Sequence, residues 1–180
     1  MKVETTSFDG HKHCVSALSW PEENLICSTS WDSTVKCWDV SKGQVVSNLI
    51  QESALFCLDA SKNALHSGNL NLAFGGTDGN VSVWDPREHR KDNKLASVKL
   101  MKSHKAMVSD VSWSSSSPFH LASCDYEGVV KVWDLRSSMP LHSLQIHEDK
   151  ALCLNWFGST LASGGADKKV SLQVVNTMAT

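Results

Sequence analysis

The sequence carries little net charge, has no cysteine pair at redox or metal spacing, and contains no apolar run long enough to cross a bilayer. Each absence removes a class of function. A formal net charge of −2 over 180 residues excludes a nucleic-acid surface built on overall charge. The basic stretch Arg87-Glu88-His89-Arg90-Lys91-Asp92-Asn93-Lys94 reads as a solvated loop between strands in preference to a phosphate contact. Cys14, Cys27, Cys37, Cys57, Cys124 and Cys153 include no C-x-x-C pair, and most fall within strand patterns. They read as reduced packing residues of an intracellular chain. The histidines show no metal-binding spacing beyond one position that repeats, so neither metal nor cofactor is expected.

Catalytic motifs are missing too. Gly75-Gly76-Thr77-Asp78-Gly79 is followed by no Lys-Ser/Thr pair, so it reads as a tight turn and not as a phosphate cradle. There is no nucleophile elbow and no zinc-protease motif. Met1-Lys2-Val3-Glu4 leads into no apolar run, which argues against a secretory signal. The sequon Asn80-Val81-Ser82 lies inside a strand pattern and is discounted. The expectation is a chain that is not an enzyme, with no small-molecule substrate and no membrane partner.

What is present is a repeat. Lys36-Cys37-Trp38-Asp39-Val40, Ser82-Val83-Trp84-Asp85-Pro86 and Lys131-Val132-Trp133-Asp134-Leu135 are three copies of one ending. Ser171-Leu172-Gln173-Val174-Val175 is a decayed fourth. The central positions are 46, 49 and 40 residues apart. A period near 40–45 residues ending in Trp-Asp marks four-stranded propeller blades of the WD-repeat kind. Repeats fall at about 10–50, 51–100, 101–145 and 146–175.

A second set of positions recurs with the endings. His11, His104 and His147 stand upstream of three of them. Asp32, Asp78, Glu127 and Asp167 come six residues before the endings' central positions, and Ser28, Phe74, Ser123 and Ser163 four residues earlier still. WD repeats use these positions for a buried tetrad of His, Ser, Asp and Trp. Burying a carboxylate is costly unless it is paired, and these donors can satisfy it. His11, Ser28, Asp32 and Trp38 make a complete set. His104, Ser123, Glu127 and Trp133 make one with Glu replacing Asp. His147, Ser163 and Asp167 lack only the Trp. The second copy keeps Asp78 and Trp84 without a histidine, and is expected to be the least well locked. Ser, His and Asp together also suggest a catalytic triad, but a set that recurs once per repeat serves structure.

Strand patterns fit. Val15–Trp20 and Val108–Trp113 alternate; Leu25–Ser28, Leu72–Gly75, Leu121–Cys124 and Leu161–Gly164 read as second strands. Val45–Leu49, Leu95–Leu100 and Leu141–Leu144 read as outer strands, and Ser114–Pro118 as a turn. With Val3–Phe8 as one more outer strand, the count is sixteen. Four blades are at the small end of the propeller range. The chain is therefore read as an all-β partial propeller, residues 1–180 being the last four blades of about seven.

The ordered set is more specific than generic WD repeats. Ile26–Val40, Val83–Arg87, Val132–Arg136, His147–Lys150 and Leu161–Asp167 resemble the WD-repeat subunit family of the PeBoW ribosome-assembly complex. That resemblance implies a non-catalytic scaffold in the nucleus and nucleolus. It implies partnership with pescadillo, a second WD-repeat subunit and pre-ribosomal particles, and a part in large-subunit assembly and ribosomal RNA maturation. The family's N-terminal ubiquitin-like domain, which engages midasin, has no counterpart in this sequence.

An alternative comes from Trp84-Asp85-Pro86-Arg87 and Trp133-Asp134-Leu135-Arg136. Trp-Asp-x-Arg endings also occur in WD-repeat substrate receptors of cullin-RING ubiquitin ligases, where Arg87 and Arg136 would dock the adaptor. Trp31 and Tyr126 precede the expected tetrad acids in the turns between second and third strands. They are either partner anchors or rings packed on a neighbouring turn.

Overall fold

In the computed structural model the described residues are 4–61, 70–87 and 98–175, and they form antiparallel sheet without a helix. Four sheets follow one another along the chain. Sheet one holds β1 (Val15–Glu22), β2 (Leu25–Ser30), β3 (Thr34–Asp39) and β4 (Gln44–Ile50). Sheet two holds β5 (Leu55–Ala60), β6 (Leu72–Gly76), β7 (Asn80–Trp84) and β8 (Lys99–Lys102). Sheet three holds β9 (Val108–Trp113), β10 (His120–Asp125), β11 (Val129–Asp134) and β12 (Pro140–Gln145). Sheet four holds β13 (Ala151–Phe157), β14 (Thr160–Gly165) and β15 (Val170–Val174).

Each sheet is a meander whose order follows the sequence, as short turns between antiparallel strands dictate. The register is the same throughout. Trp38 faces Ile26, Trp84 faces Leu72, Trp133 faces Leu121 and Gln173 faces Leu161. The repeat in sequence is thus a repeat of position.

Consecutive sheets pack face to face, so sheets two and three bury both faces and carry apolar rows on both sides of their strands. Cys27, Val35 and Cys37 of sheet one pack on Leu58, Leu72 and Trp84 of sheet two. Ala73, Val81 and Val83 of sheet two meet Val111, Leu121 and Trp133 of sheet three. Ala122, Val130 and Val132 of sheet three meet Leu154, Trp156 and Leu161 of sheet four. Hydrogen bonds cross these seams. Ser16 Oγ donates to Leu55 O (2.8 Å) and Ser109 Oγ to Ala151 O (2.5 Å). Trp113 donates its backbone N–H to Asp59 Oδ2 (2.8 Å) and its indole N–H to Asp59 O (3.2 Å). Leu154 N donates to Asp110 Oδ2 (2.7 Å), and Trp156 Nε1 to Ser112 O (3.1 Å). Burial pushes the Asp110 carboxyl up to about 6 despite its backbone donors.

Two expectations need correction. The described residues hold fifteen strands, not sixteen. Glu4–Phe8, the described part of the expected outer strand Val3–Phe8, pairs with no sheet. Sheet four ends at three strands among the described residues. Phe8 lies instead against Trp38, ring centroids 5.9 Å apart. The expected strand Leu95–Leu100 is described only from residue 98, where β8 forms; residues 95–97 and the loop 88–94 lie outside the described residues. Among the described residues the first and fourth sheets are not packed together as consecutive sheets are.

Trp113 packs in the seam between sheets two and three and donates two hydrogen bonds across it. Trp113→Ala should cost about 3–5 kcal/mol in urea unfolding, and Trp113→Phe, which keeps a smaller ring but loses the donor and part of the indole's packing, about 1–3 kcal/mol.

Candidate functional site

Three buried hydrogen-bond chains recur along the array, one in each of sheets one, three and four. Their directions follow from the donors. An indole N–H can only donate. Trp38 Nε1 donates to Ser28 Oγ (2.8 Å), so the serine hydroxyl turns its proton to His11 Nε2 (2.7 Å). The other ring nitrogen, Nδ1, then donates to Asp32 Oδ2 (2.9 Å). Asp32 also accepts from Lys12 N, Thr34 N and Thr34 Oγ1. Burial opposes its ionisation, but the Thr34 hydroxyl, the Lys12 amide and His11 outweigh that and hold the carboxyl well below the usual range.

Sheet three builds the same chain with a different acid. Trp133 Nε1 donates to Ser123 Oγ (2.8 Å), Ser123 to His104 Nε2 (2.6 Å), and His104 Nδ1 to Asp125 Oδ2 (2.7 Å). The expected acid, Glu127, is exposed in the turn, and its backbone N–H donates to Asp125 Oδ1 (3.0 Å). Asp125 ends β10 two residues earlier, and its short side chain also accepts from Val129 N (3.0 Å). Burial again opposes ionisation, and His104 with the turn amides lowers the carboxyl pKa regardless.

In sheet four His147 Nδ1 lies 3.0 and 3.1 Å from the two Asp167 oxygens, and Nε2 3.0 Å from Ser163 Oγ. Gln173 occupies the tryptophan's register position, and its Oε1 is buried without a hydrogen-bond partner among the described residues. In sheet two Asp78 is exposed and accepts from the backbone and side-chain amides of Asn80, while Phe74 and Trp84 are core residues.

The chains also join neighbouring repeats. Gly128 O accepts the backbone N–H of His147 (3.1 Å), so the turn of sheet three places the histidine of sheet four. Gly79 and Gly128 have φ of +72° and +81°, and a Cβ would lie 2.8 and 2.2 Å from the carbonyl oxygens of His104 and His147.

Chemically, this arrangement fastens strands. Each serine is buried and hydrogen-bonded to its histidine, and in sheets one and three it also accepts an indole N–H. Among the described residues no group of three or more His, Cys, Asp or Glu side chains could hold a metal. Among the described residues no helix is long and apolar enough to cross a membrane.

The surface residues fall in separate places. Trp31 is half exposed and packs against Phe56 of the next sheet, centroids 5.5 Å apart and the rings tilted by 39°. Tyr126 lies under Lys150 Nζ, 4.9 Å from the ring centroid, and follows the tetrad acid instead of preceding it. Arg87 pairs with Glu22 of sheet one. Arg136 grips both oxygens of Asp134, with Nη2 at 2.6 Å, and lies 5.0 Å over Phe119. Its hydrogen bonds hold the Asp134 carboxyl down to about 2. The Asp59 and Asp110 acceptors and the Trp113 and Trp156 donors were not singled out from sequence, although Ser19-Trp20, Ser112-Trp113 and Asn155-Trp156 repeat visibly.

The WD domain, G-beta repeat family matches residues 2–39, 95–134 and 138–172, and the chain belongs to the WD-repeat family. More particular likenesses follow. The chain is 44% identical over 93% of its length to the Ribosome biogenesis protein WDR12 homolog of Oryza sativa subsp. japonica. It is 39% identical over 93% to that of Arabidopsis thaliana, and 38% identical over 92% to that of Nematostella vectensis. It spans only 37–38% of the length of these curated relatives. Among solved structures, the computationally designed Ika4 protein matches with a TM-score of 0.78 at 22% identity, over 98% of this chain and 100% of that one, which speaks to the fold alone.

Asp125→Ala should cost about 3–5 kcal/mol, because it leaves a buried histidine unpaired, and Glu127→Ala no more than about 0.5 kcal/mol. Asp32→Ala should cost about 2–4 kcal/mol and Asp78→Ala less. The tetrad carboxyls are lowered in the folded state, so the stability they add is present above the ordinary carboxylate pKa and lost as pH falls through the lowered values. Urea midpoints should therefore drop as the pH falls below about 4, and drop less in Asp125→Ala.

Proposed function

We propose that this chain is part of a non-catalytic scaffold in ribosome biogenesis, acting in the nucleolus on the large subunit and the maturation of its RNA. The observation that carries the reading is the ordered likeness along 92–93% of the chain to proteins named for ribosome biogenesis in two plants and a sea anemone. The mechanism is presentation. Sheets locked to one another hold their loops at fixed spacing, so little ordering cost remains when partners bind. Pescadillo, a second WD-repeat subunit and pre-ribosomal particles are the proposed partners. The turn face bearing Trp31 and Tyr126 is the proposed contact, since both aromatics are held in place by neighbours while keeping exposed surface.

The ligase-receptor reading draws no support from the arginines. Arg136 is engaged by its own Asp134, and Arg87 by Glu22, which favours a structural part for both.

Depletion of the protein should cause precursors of the large-subunit RNA to accumulate. Normal precursor processing, with a ubiquitination substrate accumulating instead, would overturn the reading. Trp31→Ala combined with Tyr126→Ala should weaken pescadillo capture about tenfold or more while the fold persists; unchanged capture would exclude that face.

A further inference from the structure

We propose that Cys27 and Cys37 are a dithiol that hydrogen peroxide converts to a disulfide when sheet one lifts off sheet two, and that the closing seam then seals the new bond inside. The proposal goes beyond the biogenesis reading and does not depend on it. It concerns an internal seam, both of whose sheets lie within the chain.

Two cysteines meet where the other repeats use none. Cys27 of β2 and Cys37 of β3 are register partners. The same positions hold Ala73 and Val83 in sheet two, Ala122 and Val132 in sheet three, and Ala162 and Leu172 in sheet four. A small residue opposite a branched aliphatic one fills this place three times, so packing does not call for sulfur. The two sulfurs are 3.1 Å apart, Cys27 Sγ donating to Cys37 Sγ. Backbone geometry also suits a bridge. Val40 N donates to Asn24 O at 3.0 Å, which makes Asn24 and Val40 a hydrogen-bonded pair. Bonded and non-bonded pairs alternate along antiparallel strands, so Cys27 and Cys37, three steps on, form a non-bonded pair with Cα atoms about 4.5 Å apart. That separation lies within the span of roughly 4.4–6.8 Å that a disulfide joins.

The seam controls access. Both cysteines are 0% exposed and pack on Leu58, Leu72 and Trp84 of sheet two. The bond to Cys37, together with burial, raises the Cys27 thiol well above its ordinary value. Only a thiolate attacks, so the closed seam withholds the reaction. Both side chains point to sheet two, and its departure uncovers them together. One thiolate then attacks a peroxide oxygen; the O–O bond breaks, and hydroxide leaves and takes up the thiol's proton as water. The second thiolate attacks the sulfenic sulfur; the S–S bond forms, the S–O bond breaks, and a second hydroxide takes up the second proton. Two thiols lose two electrons, and one peroxide becomes two waters. The tie this makes lies one residue along from the Trp38–Ser28 bond of the tetrad, on the opposite face of the same two strands. Oxidation therefore fastens β2 to β3 twice.

The 180-residue chain is treated with hydrogen peroxide in buffer and in urea below its unfolding midpoint. Remaining thiols are alkylated, and tryptic peptides are weighed. A linked Cys27–Cys37 peptide pair is expected, forming at least about tenfold faster in urea. After urea is removed, dithiothreitol should reduce the link at least about tenfold more slowly than with urea present. The linked chain should keep the native circular dichroism spectrum and shift its folded-to-unfolded ratio in urea upward about tenfold or more. Cys27→Ala combined with Cys37→Val installs the pair of sheets two and three, so it should fold and lose this gain. No link in urea overturns the proposal. So do a link that forms equally fast in buffer, a linked chain that fails to regain its spectrum, and a double variant that keeps the gain.

Discussion

Burial of one sheet against the next is the constraint on which the rest of this structure depends. A four-stranded meander with apolar rows on both faces has no core of its own. It acquires one only between neighbours. Sheet two makes the point. It has no complete tetrad, yet every residue of β6 is buried, because sheets one and three cover both of its sides. Sheet four has a good histidine–carboxylate pair and still exposes much of β13 and β15, because one side is uncovered. Neighbours, more than local hydrogen bonds, decide how well a blade is buried.

Much of this could be read from the sequence, for a definite reason. Trp38, Trp84, Trp133 and Gln173 recur at a common register because a strand pair with fixed turns cannot slip without turning its apolar row outward. Second strands and two of the three tetrads were therefore legible from spacing. The third was not. Counting back from Trp133 gives Glu127, but the carboxylate that meets His104 is Asp125, at a position where the first copy has Ser30. Both acids flank the same turn, and only side-chain length and direction separate them. The first residues failed for another reason: Glu4–Phe8 reads as a strand, but a strand needs a partner edge, and Phe8 finds Trp38 instead.

The recurring Ser, His and Asp show how little residue identity says about chemistry without access. The donor order, serine to histidine to carboxylate, is that of a nucleophilic triad. Here the serine oxygen lies inside the sheet and, in two of three cases, is capped by an indole. The same polarity that would activate a nucleophile instead aligns a chain of dipoles across the entry loop, the second strand and the turn. In sheet four Gln173 replaces the indole, leaving a buried amide oxygen without a partner and the serine without its cap.

The link between Gly128 and His147 gives the array a direction in time. The histidine that fastens sheet four is held by the turn of sheet three, and the Gly79 turn of sheet two approaches the His104 carbonyl in the same way. The fastenings of sheets three and four thus each touch the turn of the blade that leaves the ribosome before them. A chain emerging from its N-terminus meets these anchors in the order it needs them, so translation and the closing of successive blades run in the same sense.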